Sequence, residues 1–154
     1  MIRKFEDNDI DDIMQIWKSA NIKAHNFISN EYWENNYKYV KSILPNAELY
    51  VYLVNNKIIG FIGMNTNYIE GIFVDTNSQH NGIGTLLLNK VKENRNNLIL
   101  RVYKKNTNAI NFYKKNDFII TNEDIDNDTD EIEYTMTWNK QEINYNLYNS
   151  SIIL

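Results

Sequence analysis

Cysteine is absent from this chain of 154 residues. Disulfide bonds, thiolate metal ligands and a cysteine nucleophile are therefore all excluded. The two histidines, His25 and His80, do not have the paired spacing of a metal site, so no metal is expected. A chain without cysteine fits a reducing compartment, and we expect a cytoplasmic location.

Proline and glycine are scarce as well, with one and five residues respectively. This composition leaves little material for a flexible linker, and the length fits one domain. The longest apolar runs, 49–54 and 58–64, are far shorter than the ~20 residues of a membrane-spanning helix. The first residues turn acidic at Glu6 and Asp7, where a signal peptide would have its apolar core. We therefore expect no membrane association.

A surplus of basic charge is also missing. The chain has 16 Lys and Arg against 20 Asp and Glu, so its formal net charge is −4. Proteins that bind nucleic acids nonspecifically usually have a basic surplus. Nucleic acid is therefore not an expected partner.

Hydrophobic periodicity predicts the order of the secondary structure. Apolar residues recur at helical spacing up to Trp17 and again over 30–44, where Pro45 ends the second helix. Asn55 and Asn56 stand between two alternating segments and predict a tight hairpin turn. The full order is strand, two helices, three strands, helix, strand, helix and two strands. Hairpins interleaved with crossover helices predict an α/β (α+β) domain with a mixed central sheet.

A polar loop with two glycines precedes the third predicted helix. The residues at this junction are Gln79, His80, Asn81, Gly82, Ile83, Gly84 and Thr85. The first N–H groups of a helix have no intrahelical acceptor, and the helix dipole adds about half a positive charge there. A phosphate or pyrophosphate fits such a site, and glycines have no Cβ to hold it away. Taken alone, the two glycines fit an ordinary helix start equally well.

Two other phosphate-binding motifs do not match this loop. The P-loop pattern G-x-x-x-x-G-K-[ST] is missing, and Leu87 replaces the third glycine of a dinucleotide-binding loop. The pattern Gln79-x-x-Gly82-x-Gly84, after the predicted strand at 68–74, instead resembles motif A of the GNAT superfamily of N-acetyltransferases. The arginine that often precedes the first glycine in that superfamily is missing here. The pyrophosphate would then depend on backbone N–H groups, with less support from charge.

A second segment resembles the other signature of the same superfamily, N-x-x-A-x-x-F-Y-x-x-x-G-F. Its matching residues are Asn106, Ala109, Phe112, Tyr113 and Phe118. Asp117 occupies the position of the glycine, and because Asp adopts left-handed geometry at modest cost, we expect the turn to survive. The two motifs occur in the order and approximate spacing of the superfamily. Within it, the chain is most similar to small, stand-alone bacterial acetyltransferases.

The resemblance implies the fold and the extent of the domain. The GNAT fold has a mixed, mostly antiparallel central sheet flanked by helices, and the predicted elements match it over residues 1–139. Residues 140–154 form a C-terminal extension that the family pattern does not use, and it could mediate assembly with another chain. A homodimer is left open.

The resemblance also implies acetyl-CoA as cosubstrate and a primary amine, on a small molecule or a peptide, as acceptor. Backbone N–H groups over 79–85 would hold the pyrophosphate, and backbone groups of Phe73 and Val74 would pair with the pantetheine arm. The N–H near Val74 would also polarise the thioester carbonyl. Asn106 is a candidate for contacting the pantetheine, with capping of its own helix as the alternative. Without cysteine, direct transfer is the simplest route.

Three residues are candidates for the catalytic groups. Tyr113 is the candidate general acid, because a phenol can protonate the leaving thiolate; simple packing is the alternative. An alkyl ammonium with a pKa of ~10 must lose a proton before it attacks. Glu70, on the strand that carries the reaction centre, and His25, between the first two helices, are the candidate bases. A water chain without a dedicated base is a third route.

Further alternatives remain at this stage. Four lysines either reach the 3′-phosphate of CoA or lie on a solvated face: Lys104, Lys105, Lys114 and Lys115. The acidic loop at 122–130 either faces the pocket, where it favours a cationic acceptor, or is simply solvated. A non-catalytic module that binds acyl-CoA is the alternative to an enzyme.

Overall fold

The computed structural model describes residues 1–141, which form seven strands and four α-helices. The strands are β1 (Ile2–Lys4), β2 (Glu48–Val54), β3 (Lys57–Asn65), β4 (Tyr68–Val74), β5 (Asn97–Tyr103), β6 (Ile119–Ile125) and β7 (Ile132–Asn139). The helices are α1 (Ile10–Ala24), α2 (Asn30–Ile43), α3 (Ile83–Lys92) and α4 (Thr107–Lys115). This order confirms the one predicted from periodicity. The predicted extension lies outside the described residues from position 142 onward.

The strands form one sheet in the order β1-β2-β3-β4-β5-β7-β6. Neighbouring strands run antiparallel except β4 and β5, which are parallel, so the expected mixed, mostly antiparallel sheet is confirmed. The pairing of β4 with β5 consists of one register position, Tyr68 opposite Ile99. From that point the two strands diverge, and the sheet has a gap in its middle.

Local signals explain several boundaries. Asn55 and Asn56 have φ values of 50° and 64°, the left-handed pair that a tight hairpin turn requires. The Ser29 hydroxyl accepts a hydrogen bond from the Glu31 N–H at 3.3 Å and caps α2. Asp117 has a φ of 71°, so the left-handed turn expected there is present.

Two apolar clusters cover the two faces of the sheet. On one face, α3 and α4 bury Leu87, Leu88 and Ile110 against the inner strands. On the other face, α1 and α2 bury Ile13, Trp17 and Trp33. The two faces of the sheet are therefore covered by different pairs of helices. Among the described residues, no helix is long and apolar enough to cross a membrane.

The acidic segment differs from its prediction. The loop was expected to begin at Asn122, but β6 continues to Ile125. Glu123 pairs with Tyr134 and Asp124 with Glu133 on β7. Cross-strand pairing outweighs the low β-propensity of acidic residues here, because propensity depends strongly on context. The true turn is confined to the few residues after Ile125.

Candidate active site

The phosphate-loop motif opens onto a cavity of about 670 Å³. The end of α1, the end of β4, the loop, the start of α3 and one side of α4 line this cavity. We call it the loop cavity. It lies where β4 leaves β5, and motifs that are far apart in the sequence meet there.

The loop presents backbone donors at the start of α3. The first helical hydrogen bond runs from the Leu86 N–H to the Gly82 carbonyl, at 3.1 Å. The N–H groups of Ile83, Gly84 and Thr85 precede it and therefore have no acceptor within the helix. No side chain caps this end of the helix. Such a set of free donors, at the positive end of a helix dipole, fits a phosphate group.

The two glycines of the motif have different roles. Gly82 has a φ of 78°, which an L-residue with a side chain rarely adopts, and a Cβ there would have open space around it. A Cβ on Gly84 would lie 3.2 Å from the Phe112 ring. Gly84 therefore lets α3 approach α4 closely, whereas Gly82 provides the left-handed turn into the helix.

The remaining loop residues hold its shape. The Gln79 amide donates to the Val74 carbonyl at 3.1 Å and ties the loop to the end of β4. His80 adopts a φ of 69° and lines the loop cavity. Asn81 donates to the Ser78 carbonyl at 3.4 Å and lines a neighbouring pocket instead.

The end of β4 presents backbone groups to the gap in the sheet. The Asp75 N–H donates to the Ile59 carbonyl on β3. The Val74 carbonyl points away from β3 and accepts from the Gln79 amide. Backbone groups alternate along a strand, so Ile72 and Val74 face the gap and Phe73 faces β3. The predicted contact of Val74 with a pantetheine arm fits this geometry. The backbone of Phe73 does not face the gap, although its side chain lines the loop cavity.

Tyr113 lies in α4, buried, with its ring 5.1 Å from that of Phe112 and 5.4 Å from that of Phe118. It lines the loop cavity. Burial raises its pKa, and the nearby Tyr68 adds to this rise. The hydroxyl is therefore protonated across the ordinary pH range, and no described residue supports it with a hydrogen bond.

Asn106 joins α4 to the segment between α1 and α2. Its Oδ1 accepts from the Ala109 N–H at 3.2 Å, so it caps α4, which is one of the two roles predicted for it. Its Nδ2 therefore faces the His25 Nε2, at 3.2 Å. This network assigns Nε2 as the acceptor and places the proton of His25 on Nδ1, which is buried and unpartnered.

His25 is packed among aromatic rings. Its ring stacks on Trp33 at 5.1 Å and meets the edges of Phe27 and Tyr103. Burial lowers its pKa, with a smaller opposing effect from the Asn21 backbone. The imidazole is therefore neutral at pH 7, and its one lone pair is engaged with Asn106.

Glu70 lies apart from the loop cavity. Its exposed side chain lines a second cavity of about 540 Å³, on the face of the sheet that α1 and α2 cover. Trp17 and Phe61 form part of the same wall. A Cβ on the adjacent Gly71 would lie 2.3 Å from the Phe73 ring, so glycine is required there for the ring to fold over the strand.

Charged residues near the last hairpin are largely paired. Lys104 meets Glu123 at 3.3 Å and Lys105 meets Glu131 at 3.1 Å. The Tyr103 hydroxyl donates to Asp126 at 2.6 Å. These contacts favour the second alternative for this part of the acidic segment, in which its charges are solvated or pair with neighbouring side chains and do not face the pocket.

Glu133 is partly buried, and its carboxylate forms a longer ion pair with Arg101, at 3.9 Å. Burial raises its pKa, and the neighbouring Asp126 and Asp124 add to this rise, whereas Arg101 opposes it. Burial raises the pKa of Tyr32, and the charges of Asp126, Asp128 and Glu133 add to this rise. Negative potential therefore extends over the end of the sheet beside Tyr32.

Most predicted site residues meet in the loop cavity. It brings together His25, Phe73, Val74, Gln79, His80, Gly82, Ile83, Gly84, Thr85, Asn106 and Tyr113. Asn81 and Glu70 lie elsewhere. Sequence reasoning missed Ile72 and Lys23, which also line the cavity. Strand alternation could have indicated Ile72, but no local signal marks Lys23.

Comparison with known proteins places the chain in a family. The sequence model described as "Acetyltransferase (GNAT) family" matches residues 10–118. The chain belongs to this family, as the two motifs predicted. It is 30% identical over 140 residues to "Peptidyl-lysine N-acetyltransferase YiaC" of Escherichia coli (strain K12), covering 90% of this chain and 96% of that protein.

Solved structures agree on the fold. The solution structure of apo-form YjaB from Escherichia coli superposes with a TM-score of 0.80 at 24% identity, covering 90% of this chain and 96% of that one. A crystal structure from Bacillus anthracis str. Ames, in complex with acetyl coenzyme A, has a TM-score of 0.56 at 29% identity. It covers 61% of this chain and 62% of that one. The chain is thus an acetyltransferase by family and by fold.

Proposed function

We propose that this protein transfers the acetyl group of acetyl-CoA directly to the ε-amine of a lysine in a peptide or protein. The observation that carries the proposal is the position of Tyr113, a residue that lines the same cavity as the free donors of the phosphate loop and whose hydroxyl is protonated. A module that only binds acyl-CoA would have no use for that hydroxyl. The named activity of YiaC supports the choice of acceptor.

In this proposal the cosubstrate lies along the loop cavity. The N–H groups of Ile83, Gly84 and Thr85 hold the pyrophosphate, with Gly82 shaping the turn. The pantetheine arm pairs with the backbone of Ile72 and Val74 in the gap that β5 leaves open. The Val74 N–H then lies beside the thioester carbonyl, where it stabilises the oxyanion of the tetrahedral intermediate.

The transfer is a nucleophilic substitution at the carbonyl carbon. The neutral amine attacks, an N–C bond forms, the attacking nitrogen gives one proton to the base or to water, and the C–S bond breaks as the intermediate collapses. The Tyr113 hydroxyl donates its proton to the departing thiolate and regains one from solvent. The absence of cysteine in the chain agrees with direct transfer, without an acetyl-cysteine intermediate.

Of the two candidate bases, we assign the role to Glu70. Its carboxylate is exposed in the cavity on the opposite face from the phosphate loop, so an amine can approach the gap from that side while acetyl-CoA occupies the other. The His25 lone pair is engaged with Asn106 and its other nitrogen is enclosed. His25 therefore serves as a positioning residue that fixes the wall of the cavity.

The charge around the acceptor side favours a cationic acceptor. Asp126, Asp128 and Glu133 lie near Tyr32, and Asp126 also accepts a hydrogen bond from the Tyr103 hydroxyl. A lysine side chain has an aliphatic stem that can pack on tyrosine rings and a charged head that acidic residues attract. A small polycationic amine has the charge that acidic residues attract, but it has less aliphatic surface to pack on tyrosine rings.

The decisive experiment follows free thiol after acetyl-CoA is mixed with matched acceptors. These are a lysine peptide, the same peptide with its lysines replaced by arginine, a polyamine and an aminoglycoside. We expect thiol release with the lysine peptide, and mass spectrometry should locate the acetyl group on its ε-amine. Thiol release with the polyamine or the aminoglycoside, but not with the lysine peptide, would show that the acceptor is a small amine and not a peptide lysine. Binding of CoA without release on any amine would establish the non-catalytic module.

We also propose a cytoplasmic location, which the lack of cysteine supports. Cell fractionation with an antibody against the chain tests it. Recovery outside the cytoplasmic fraction would contradict this part of the proposal.

A further inference from the structure

The charge that lines the loop cavity is unusual for so acidic a chain. Among the described residues that line this cavity there is no Asp or Glu, and Lys23 is the sole Lys or Arg. The chain as a whole has a net charge of −4. The cavity therefore has no carboxylate in its lining, although Asp and Glu outnumber Lys and Arg in the chain by 20 to 16, and it contains one formal cation.

Lys23 reaches the loop from another element. It lies in the last turn of α1, and its Nζ is 3.3 Å from the Gln79 Oε1, across 56 positions of sequence. Gln79 is in turn bonded to the Val74 carbonyl. The ammonium group is thus held beside the first residue of the phosphate loop.

The contact leaves the charge of Lys23 uncompensated. The Gln79 amide oxygen is neutral, and no carboxylate among the described residues forms an ion pair with Lys23. By contrast, Lys18 on the same helix pairs with Glu34 at 3.9 Å. An ammonium group has three donors, so Lys23 has donors left for a ligand after it has bonded Gln79.

We propose that Lys23 binds the pyrophosphate of acetyl-CoA from the α1 side of the cavity, opposite the backbone donors of the loop. It supplies the side-chain charge that the loop itself lacks, since His80 and Asn81 occupy the positions before Gly82. This inference rests on acetyl-CoA being the cosubstrate. The role concerns binding, so it affects the ground state and the transition state alike.

The test compares Lys23→Gln with three donors: acetyl-CoA, acetyl-3′-dephospho-CoA and S-acetylpantetheine, which has no phosphate. We expect KM to rise about tenfold for the two donors that contain the pyrophosphate, with kcat unchanged and no effect on S-acetylpantetheine. Lys23→Arg should retain most of the affinity. Lys18→Gln is the matched control on the same helix. High salt should narrow the difference between wild type and Lys23→Gln.

Each other outcome overturns the inference. An unchanged KM for acetyl-CoA would show that Lys23 does not contribute to binding this donor. A rise in KM for acetyl-CoA but not for acetyl-3′-dephospho-CoA would show that Lys23 contacts the 3′-phosphate and not the pyrophosphate. An equal rise in KM for S-acetylpantetheine, which has no phosphate, would show that Lys23 has a structural role through Gln79. Calorimetric titration with CoA gives Kd for each variant without turnover, so a failure of the proposed acceptor chemistry is distinguished from a failure at Lys23.

Discussion

Replacing Tyr113 with Phe removes one hydroxyl group from the proposed centre and little else. The ring retains its contacts with Phe112 and Phe118, at 5.1 Å and 5.4 Å between centroids. The hydroxyl has no supporting hydrogen bond from a described residue, so the folded protein loses none. The free energy of unfolding should therefore change by less than about 0.5 kcal/mol, as for substitutions that break no specific contact.

The effect on catalysis should be much larger. Without Tyr113 the thiolate leaves without a proton donor, and we expect turnover to fall by ~10²-fold, the usual contribution of a general acid. That loss corresponds to about 2.7 kcal/mol in the activation barrier. A hydrogen bond to a charged group, at about 1.5–3 kcal/mol, accounts for a difference of this size.

The assay follows thiol release at saturating acetyl-CoA and lysine peptide, together with Kd for CoA and thermal unfolding. Tyr39→Phe, at an exposed tyrosine on α2, is the control. Because burial raises the pKa of Tyr113, its hydroxyl stays protonated while the amine titrates near pH ~10. The wild-type rate should therefore rise with pH up to the pKa of the amine, without an earlier alkaline fall. Full turnover in Tyr113→Phe would refute its role as general acid.

Three other substitutions give separable results. Glu70→Gln should lower the rate about tenfold or more at pH 7 and recover as pH approaches the amine pKa of ~10, where no base is needed; an unchanged pH–rate profile would leave proton removal to water. Gly82→Ala should raise KM for acetyl-CoA and lower stability by about 1–2 kcal/mol, because φ is 78° there; circular dichroism and kinetics measure both, and unchanged values would contradict the strain. Asp9→Asn should destabilise the fold by about 1.5–3 kcal/mol, because the buried carboxylate accepts from Arg3 at 2.7 Å and from the Glu6 N–H at 2.8 Å. The hydrogen bond from Arg3 lowers the pKa of Asp9, so this stabilisation is complete above the unfolded-state pKa of ~3.9 and is lost as pH falls through the folded value; urea titrations at pH 7 and pH 3 should show the difference between wild type and variant shrinking, and a constant difference would contradict the linkage.

The amino-acid sequence by itself determined the local features of this protein. Helix and strand order followed from periodicity, and the left-handed turns at Asn55 and Asn56 followed from residue types that tolerate positive φ. The loop around Gly82 and the position of Tyr113 followed from the resemblance of two short motifs to the signatures of the GNAT superfamily. All of these depend on residues within a few positions of one another. Local steric and hydrogen-bonding preferences are sufficient to encode them.

Only the tertiary structure decided how the site is divided and charged. The gap between β4 and β5 arises because their pairing stops after one register position, and Glu70 lines a different cavity from the phosphate loop, on the face of the sheet that α1 and α2 cover. The contact of Asn106 with His25 spans 81 positions and decides which nitrogen of the imidazole carries a proton. Lys23 likewise acquires its neighbour through the packing of α1. Contacts between distant segments depend on how whole elements pack against one another, and no short pattern in the sequence encodes that arrangement.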